Sequence, residues 1–328
     1  MNAHASGWST AEILKHAILT LGAIVVMLPF YVMVTYSLKS PAEIAQNAGG
    51  IFGSQAPMID ERCVVRNQPV RTDVEAARPT YPDLSDREIL GRLIAEVQAS
   101  CETTPVVVNY KTAFTEAPLL RYLLNGVIVT VSISLIQIVV ALSAAYALAK
   151  LRFWGRQAVF TLVLFCLLMP VHAIALPLYI MLAQLGLTNS YAALVIPWTI
   201  SVFGIFLMRQ FFMTVPDDLI DAARMDGMSE FSIVWRVMLP TAIPALLAFA
   251  IFSVVAHWND YFWPRVVITG DRSLFTPPLG LREFRSTADG SFFGPMMATA
   301  TIIVTPLIVA FLLAQRRFIE GITLSGMK

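Results

Sequence analysis

The chain has 328 residues, of which 57% are hydrophobic and only 14% carry a charge. A soluble domain has roughly one quarter charged residues, so this composition indicates a protein that lies in a lipid bilayer. The formal net charge of +1 excludes the strongly basic or acidic balance that is typical of nucleic-acid-binding proteins. The chain also lacks a G-x-x-x-x-G-K-[ST] loop to cradle nucleotide phosphates, so we expect any ATP to be hydrolysed by another subunit.

Six segments are long and apolar enough to cross a bilayer, which requires about 20 residues of helix because every backbone polar group must be satisfied within the segment. The N-terminal apolar run is too long for a signal peptide, and no small-residue cleavage site follows it, so we expect it to remain as the first anchor. The sequence therefore predicts an all-α polytopic membrane protein with six transmembrane helices, at about 17–36, 123–149, 158–182, 191–208, 242–258 and 296–313. Prolines inside these segments predict kinks, at Pro29, Pro170, Pro177, Pro197 and Pro306.

Two polar stretches organise the rest of the chain. We predict the N-terminus and first helix at 1–39, an extracytoplasmic insert at 40–118, a five-helix core at 119–316 that contains a polar loop at 214–240, and a tail at 317–328.

The orientation of the spans follows from the short loops, because Lys and Arg concentrate on the cytoplasmic side. Basic residues after the second and sixth spans predict that these loops and both termini are cytoplasmic, namely Lys150, Arg152, Arg156, Arg316, Arg317 and Lys328. The loop between the fifth and sixth spans opposes this rule, since its predicted outer side holds Arg265, Arg272, Arg282 and Arg285.

The insert contains one clear helix signal and a pair of cysteines. Ser85 as N-cap and Glu88 three residues later form a capping box, and apolar residues then recur at helical spacing, at Ile89, Leu93 and Val97. We expect one short amphipathic helix there. Cys63 and Cys101 are the only cysteines outside the spans, and their predicted compartment favours a disulfide. Two unpaired thiols in a flexible loop remain the alternative.

The polar loop at 214–240 has the pattern of two short helices joined by a turn. Asp217 and Asp218 suit the positive end of the first helix, and Gly227 can adopt the left-handed conformation that ends it. We predict a second helix from about Ser229 to Met238, closed by Pro240 at the membrane surface. Its large apolar residues share one face, at Phe231, Trp235 and Met238. For the two aromatic residues, packing on the chain's own spans and contact with another subunit are equally open.

This loop closely resembles the cytoplasmic loop in permeases of binding-protein-dependent ATP-binding-cassette importers. Their pattern is E-A-A, three residues, G, nine residues, then I-x-L-P. Here Asp221, Ala222 and Ala223, then Gly227, then the run from Val237 to Pro240 keep every spacing. Asp replaces Glu and Val replaces Ile, which retains the charge and the apolar character and leaves only contact detail in doubt.

Further motifs narrow the resemblance to the carbohydrate group of these permeases, and it covers most of the chain except the insert. The similar motifs are P-F-Y at 29–31, S-L-K at 37–39, Y-L-L-N-G at 122–126, W-N-D-Y-F-W-P at 258–264 and Q-R-R-F-I-E-G at 315–321.

The resemblance implies a permease subunit that passes a sugar or sugar-like solute across a bacterial inner membrane by alternating access. It implies a second permease subunit, an ATPase dimer that binds ATP and Mg, and an extracytoplasmic solute-binding protein as partners, but no nucleic acid. The chain itself is then not an enzyme and needs no cofactor or metal. The loop at 214–240 becomes a coupling loop that docks on the ATPase, with candidate contacts at Asp221, Ala222, Ala223, Arg224, Asp226, Gly227, Leu239 and Pro240.

Polar residues within or beside the spans are candidates for the translocation path, because such groups tend to face a pathway or the bundle interior. They are Gln137, His172, His257 and Asn259. A single interhelical hydrogen bond is the simpler explanation for Gln137 and the two histidines. For Trp258 and Trp263 we expect anchors in the interfacial aromatic belt rather than platforms for sugar stacking.

The alternatives differ in cargo or in energy source. The same architecture could import a polyol, glycerol phosphate or an amino-acid-like solute. A facilitator that works without ATP is a different class, and an integral membrane enzyme is a third. The spans contain no metal-ligand cluster and no nucleophile with a paired base, so the enzyme is the weakest of the three.

Overall fold

A computed structural model describes residues 9–46, 57–284 and 293–325 of the chain, so Arg285 and Lys328 lie outside the described residues. Helices account for most of the regular structure: α1 (Thr10–Ser37), α2 (Pro41–Ala45), α3 (Glu61–Arg66), α4 (Arg71–Ala77), α5 (Asp86–Ser100), α6 (Pro105–Glu116), α7 (Leu119–Lys150), α8 (Arg156–Leu168), α9 (Val171–Gln184), α10 (Tyr191–Val195), α11 (Val202–Phe212), α12 (Asp217–Met225), α13 (Glu230–Ile233), α14 (Leu239–Thr241), α15 (Ile243–Trp258), α16 (Phe262–Val267), α17 (Pro277–Gly280) and α18 (Phe293–Ser325). Two short strands, β1 (Met58–Ile59) and β2 (Glu102–Thr103), pair antiparallel.

Within the described ranges, four helical segments are long and apolar enough to cross a membrane: α1, α7, Tyr191–Phe212 and the first part of α18. Two bent helix pairs, α8 with α9 and Glu230–Thr241 with α15, raise the number to six if each pair forms one span. The prediction of a helical membrane protein is confirmed at this level. The last helix continues to Ser325, so the predicted tail begins as an extension of the same helix.

The predicted third span bends at Pro170, one of the positions where the sequence predicts a kink. It divides into α8 and α9, which meet at 103° around Met169 and Pro170. Met169 is extended, with φ −73° and ψ 127°, because the ring of a following proline disfavours the helical region for the residue before it. The fourth span is also interrupted, by a 3₁₀ turn at Ile196–Trp198, before Ser201 caps α11.

The chain divides into two compact units, Met1–Ala117 with Glu283–Ile302 and Pro118–Arg282 with Ile303–Lys328. In the first unit, α6 is attached to the end of α1. The buried Asn109 amide donates to the carbonyls of Ser37 and Lys39, both at 2.9 Å. A Cβ at Gly294 would lie only 2.7 Å from the Asn109 amide, so this side chain also fixes where α18 begins to pack.

The insert is more structured than the sequence indicated, since its described residues form five helices, α2 to α6, and the two strands instead of one helix. The predicted capping box is present in α5, where Ser85 and Glu88 exchange hydrogen bonds between side chain and backbone. Ile89 is fully buried, as its helical spacing predicted. A disulfide joins Cys63 to Cys101 with a Cα–Cα distance of 5.5 Å and ties α3 to the end of α5.

In the second unit, α7 is the central helix and packs against α11, α15 and α17. Its buried positions follow helical spacing along most of its 32 residues. A group of buried apolar side chains lies where α7 meets α8, α11 and α15. It is formed by Ala141, Leu148, Phe160, Ile205 and Phe249. The helix therefore connects the two ends of this unit.

Candidate functional site

The first helix of the coupling loop, α12, ends in a glycine-dependent turn. Gly227 has φ +77°, so it adopts the left-handed conformation that its position predicted. The Gly227 N–H donates to the Arg224 carbonyl at 2.9 Å, and the Met228 N–H donates to the Ala223 carbonyl at 3.1 Å. This pair of bonds is a Schellman motif, which satisfies the last carbonyls of the helix and reverses the chain within three residues. The turn is therefore stiff and its direction is fixed.

The second loop helix begins as predicted but ends later. Ser229 caps it by accepting a hydrogen bond from the Ser232 N–H, and the helical segment continues through Thr241 before a 90° bend into α15. The prediction that Pro240 closes this helix was wrong. Val234–Met238 form a π turn instead, in which the Leu239 N–H donates to the Val234 carbonyl. A wider turn is a common solution ahead of a proline, whose ring clashes with the carbonyl four residues before it.

Both loop helices pack on the chain's own spans. Ala223 is buried, whereas its neighbour Ala222 is exposed, so the two alanines of the D-A-A pattern face opposite sides. The small side chain at Ala223 lets α12 approach closely. The shared cluster joins the loop to α7, α11 and the start of α15, through Leu142, Ala145, Tyr146, Met208, Phe212, Val215, Ile220, Ala223, Ile233, Val234, Met238 and Ala242.

Arg224 connects the two loop helices to each other. Its Nε donates to Glu230 Oε1 at 2.8 Å, and its Nη1 donates to Asp221 Oδ1 at 3.1 Å. The hydrogen bond to Glu230 raises the pKa of Arg224 above its ordinary value. Glu230 also accepts a hydrogen bond from the Tyr146 hydroxyl, and Tyr146 belongs to α7. One guanidinium therefore links α12, α13 and the end of the central helix.

A second connection to α7 comes from Lys150 at its last turn. The ammonium group donates to the Val215 carbonyl and to Asp217 Oδ1, both at 2.6 Å. This hydrogen bond, followed by the charge of Lys150, lowers the pKa of Asp217. An open cavity of about 430 Å³ lies beside the pair and is lined by Lys150, Leu151, Arg152, Asp217, Ile220, Asp221 and Arg224. The loop is thus bound to α7 by one ion pair, Lys150 with Asp217, and by the hydrogen bond from the Tyr146 hydroxyl to Glu230.

The outward face of the loop exposes large apolar side chains. Met225 is 89% exposed, Phe231 65% and Leu219 47%. The predicted common face of the second helix therefore divides, because Met238 is fully buried, Trp235 is partly buried against the shared cluster, and Phe231 faces outward. Other exposed residues on this surface include Ala222, Asp226, Gly227 and Pro240, whereas Leu239 is partly buried.

Sequence reasoning missed three residues of this site. Glu230 and Tyr146 were not among the predicted site residues, and Lys150 was used only to predict the topology. One signal was available: Tyr146 lies one helical turn before Lys150 on the face of α7 that leads to the loop. Their contacts with Glu230 and Asp217 join residues 84 and 67 positions apart, which no local pattern contains.

Two of the four candidate path residues lie together. The buried Gln137 amide donates to the Trp198 carbonyl at 2.6 Å and lies 3.1 Å from His257 Nε2. Ser253 donates to Gln137 Oε1 at 2.7 Å. These contacts are interhelical hydrogen bonds, the simpler of the two explanations for Gln137 and His257. They also supply a donor to a carbonyl freed by the break in the fourth span.

His172 and Asn259 lie elsewhere. The His172 ring is 4.4 Å from the Phe262 ring, beside a cavity of about 290 Å³. The exposed Asn259 amide donates to the Val255 carbonyl of its own helix at 2.9 Å. Each residue therefore has a local contact that is separate from the Gln137 group.

The expectation of interfacial anchors at Trp258 and Trp263 was wrong. Both side chains are almost fully buried. Trp258 donates to the Ile303 carbonyl at 3.0 Å, and Trp263 donates to the Ala193 carbonyl at 2.9 Å. Buried indoles with satisfied N–H groups hold helices together and leave no ring face available to a bilayer surface or to a sugar.

Residues 137–323 match the family of binding-protein-dependent transport system inner membrane components, and the chain belongs to this family. The match covers the coupling loop and most of the second unit. The chain is therefore a membrane permease component of such a transport system, as the loop motif indicated.

Named relatives extend this result. The chain is 34% identical over 221 residues to the arabinooligosaccharides transport system permease protein AraQ of Halalkalibacterium halodurans, an alignment that covers 67% of this chain and 78% of that protein. It is 35% identical over 201 residues to the sn-glycerol-3-phosphate transport system permease protein UgpE of Yersinia pestis, covering 61% and 71%.

A solved structure shares the fold. It is the crystal structure of a bacterial ABC transporter involved in the import of the acidic polysaccharide alginate. A chain of that transporter superposes with a TM-score of 0.69 and 19% identity, and the superposition covers 96% of this chain and all of that one.

Proposed function

We propose that this chain is one of two permease subunits in an ATP-driven importer that moves a sugar or sugar-like solute into the cell. The observation that carries the proposal is the coupling loop, a two-helix element with a fixed turn, polar links to α7 through Lys150 and Tyr146, and an exposed apolar face. A rigid element of this kind can transmit a displacement that a flexible loop would absorb. ATP and Mg bind to the partner ATPase, and its closure moves the loop and then α7.

Each bent helix pair forms one span in this proposal, which gives six spans with both termini and the coupling loop in the cytoplasm. The length of α7 supports this arrangement. Its 32 residues span about 48 Å at 1.5 Å per residue, enough to cross the full thickness of a bilayer with its headgroups. The end at Lys150 then lies in the cytoplasm, and the end at Leu119 lies outside, where the solute-binding protein docks.

The cargo that we propose is an oligosaccharide, because the relative that matches over 67% of this chain is named for the transport of arabinooligosaccharides. Glycerol phosphate is the second candidate, favoured by the relatives named for sn-glycerol-3-phosphate. Polyols and amino-acid-like solutes have no named relative among these. We propose Gln137 and His257 as polar residues near the path, with His172 and Asn259 as separate contacts along it.

Transport in proteoliposomes tests the proposal. Both permeases and the ATPase would be reconstituted, and uptake of labelled arabino-oligosaccharides and of sn-glycerol 3-phosphate would be compared with and without ATP, vanadate and the solute-binding protein. We expect vanadate-sensitive uptake that requires both ATP and the binding protein. Uptake that persists without nucleotide would contradict the importer and favour a facilitator.

A further inference from the structure

Arg209 is a buried cation without a carboxylate partner. Its side chain, on α11, is only 9% exposed, and its guanidinium lies over the Phe160 ring of α8, with Cζ 3.7 Å from the ring centroid. The Arg209 Nε donates to the Leu148 carbonyl at 3.2 Å. Among the residues that the structure describes, no acidic side chain forms an ion pair with it. Buried charges in proteins are normally paired, because the loss of hydration is costly, so this guanidinium lacks a counter-charge.

Arg156 brings a second positive charge to the same place. It begins α8 one turn before Phe160, so the two side chains share the face of α8 over which Arg209 lies. Arg156 is close enough for its charge to act on Arg209, and its Nη1 donates to the Leu151 carbonyl at 3.2 Å. Two like charges at this distance repel each other. An anion between them would remove the repulsion and supply the missing counter-charge.

Most of the hydrogen-bond donors of this arginine pair are not used by the protein. A guanidinium has five N–H donors, and in the described part of the chain Arg156 and Arg209 each donate one hydrogen bond, to a carbonyl at the end of α7. The remaining donors form the planar fork that binds phosphate oxygens in pairs. α8 also begins without a side-chain cap, so its positive end adds to the attraction for an anion.

The surroundings of the pair are those of a bilayer surface. Trp154 lies two residues before Arg156 and is fully exposed, and tryptophan is enriched at the level of the headgroups. Along α8, large apolar side chains are exposed at Leu162 and Phe165. In the proposed topology this end of α7 is cytoplasmic, so α8 enters the membrane from the cytoplasmic headgroup layer. Basic pockets between spans on this side suit anionic headgroups.

We propose that Arg156 and Arg209 bind the phosphate of an anionic phospholipid in the cytoplasmic leaflet. The inference rests on the proposed function for the leaflet alone. The lipid phosphate bridges the two guanidinium groups, and an acyl chain lies along Leu162 and Phe165. A soluble phosphate is the less favoured ligand, because it would leave these apolar side chains uncovered. One bound lipid therefore joins α8 to α11, the two helices that also meet where Phe160 stacks on Phe206.

Lipid retention by the complete transporter tests the proposal. The transporter, purified in a mild detergent, would be incubated with equal amounts of phosphatidylglycerol and phosphatidylcholine, and bound lipids would be counted by native mass spectrometry. We expect wild type to retain phosphatidylglycerol preferentially and Arg156→Gln to bind it about tenfold more weakly, the effect of losing one charge-assisted hydrogen bond. Arg152→Gln is the matched control. It removes the same charge from an exposed residue that lies near Asp217, and it should bind like wild type.

A second measurement separates lipid binding from capping of α7, the structural role that the two carbonyl contacts allow. Phosphatidylglycerol added to transporter in phosphatidylcholine nanodiscs should raise the melting temperature of wild type, because a ligand stabilises the state that binds it. The rise should be absent from Arg156→Gln. A variant that melts earlier in both lipids but keeps the full rise indicates capping and overturns the proposal. Arg209→Gln tests the buried partner, and Arg156→Gln decides the question if that variant does not fold.

The remaining outcomes are also distinct. Unchanged phosphatidylglycerol affinity in Arg156→Gln overturns the lipid site, and so does an equal loss in Arg152→Gln, which would indicate a general effect of charge. Inorganic phosphate that binds through Arg156, without any preference for phosphatidylglycerol, overturns it in favour of a soluble anion.

The orientation is tested separately, so that failure of the proposed function can be recognised. Trp154→Cys would be combined with Cys166→Ala, which removes the free cysteine, and labelled with a membrane-impermeant maleimide. We expect labelling only after the cytoplasmic side is opened. Labelling of intact cells from outside contradicts the proposed topology and with it the cytoplasmic leaflet, whereas the lipid site stands or falls on the phosphatidylglycerol measurements.

Discussion

The two ends of α7 are joined to their neighbouring loops by different kinds of contact. At Lys150, the link to the coupling loop is one ion pair, in which Asp217 is 77% exposed and the Lys150 side chain is 8% exposed. At Asn125, the links are buried amide hydrogen bonds and close glycine contacts. Exposed ion pairs contribute about 0–1 kcal/mol each, whereas a buried group that loses its partner costs about 1–3 kcal/mol.

This difference indicates what holds the loop to α7. If the ion pair opens, water solvates Asp217 and the Lys150 ammonium keeps the Val215 carbonyl, so the pair contributes little and the shared apolar cluster holds the loop in place. The joint at Asn125 has no such alternative, so α7 and the segment around Ser273 and Phe275 should move as one body. A displacement of the loop, carried by the apolar cluster, would then reach the Asn125 end of α7.

The largest loss of stability should come from filling the close contact of Gly126, next to Asn125 in α7. In Gly126→Val, the new side chain meets the Pro277 ring and Trp258, whose atoms lie 2.6 and 3.3 Å from an ideal Cβ. Neither group can give way easily, so we expect a loss of about 3 kcal/mol or more. Thermal unfolding of purified protein in detergent would measure it. Gly22→Val is the control, because nothing lies within 4 Å of that Cβ. Equal melting temperatures for the two variants would show that Gly126 and Pro277 are not closely packed.

A smaller loss should follow when the amide at the same joint is removed. Asn125→Ala leaves the carbonyls of Ser273 and Phe275 without this donor, at a cost of about 2–3 kcal/mol. Asn125→Asp keeps the shape but cannot donate, so it should lose at least as much. Asn259→Ala is the matched control, since that amide is exposed and bonds only to its own helix. Protease cleavage near residue 270 should accelerate in the Asn125 variants and not in the control. Unchanged cleavage would argue against the amide as the link between helix and loop.

Apart from the Cys63–Cys101 disulfide, sequence patterns predicted the contacts that are local and missed those that are not. The capping box at Ser85, the left-handed Gly227 and the apolar spans all depend on neighbours within a few residues, which the sequence displays directly. The Y-L-L-N-G motif at 122–126 supported only the family resemblance, because its structural role depends on the bonds from Asn125 to residues 148 and 150 positions away.

The errors have physical causes of the same kind. The kink at Pro170 was predicted, but its angle of 103° was not, because a proline marks the position of a bend and not its size. The tryptophans at 258 and 263 lie at a span end, where surface anchors are common, but each indole finds a buried carbonyl on another segment. Composition cannot reveal such a partner.

At the coupling loop, the turn itself should matter more for transport than for folding. Gly227→Val forces a β-branched residue to φ +77°, at a cost of about 1–2 kcal/mol, or displaces the second loop helix. Nothing lies within 4 Å of the added Cβ, so the effect is one of backbone conformation and not of packing. We expect normal insertion with loss of ATP-coupled uptake in proteoliposomes. Gly227→Asn is the control, since asparagine tolerates this conformation, and it should retain most transport. A Val variant that transports as well as wild type would refute the coupling role.

The smallest effect should come from Asp217→Asn, and its pH dependence has a definite sign. Lys150 lowers the pKa of Asp217 below its ordinary value of 3.8, first through the hydrogen bond and then through its charge. A carboxylate whose pKa is lower in the folded state stabilises that state above the unfolded pKa, and the contribution disappears as the pH falls through the folded pKa. The variant should therefore be slightly less stable than wild type at neutral pH, and the two should converge below pH 3.8. Asp218→Asn, the next residue in the same turn, controls for the loss of a negative charge at the helix start.

Because the Lys150 ammonium keeps the Val215 carbonyl as a partner, transport by Asp217→Asn should stay close to wild type. A large loss of transport in this variant, absent from the Asp218 control, would mean that the ionic joint is not free to open and would remove the distinction between the two ends of α7.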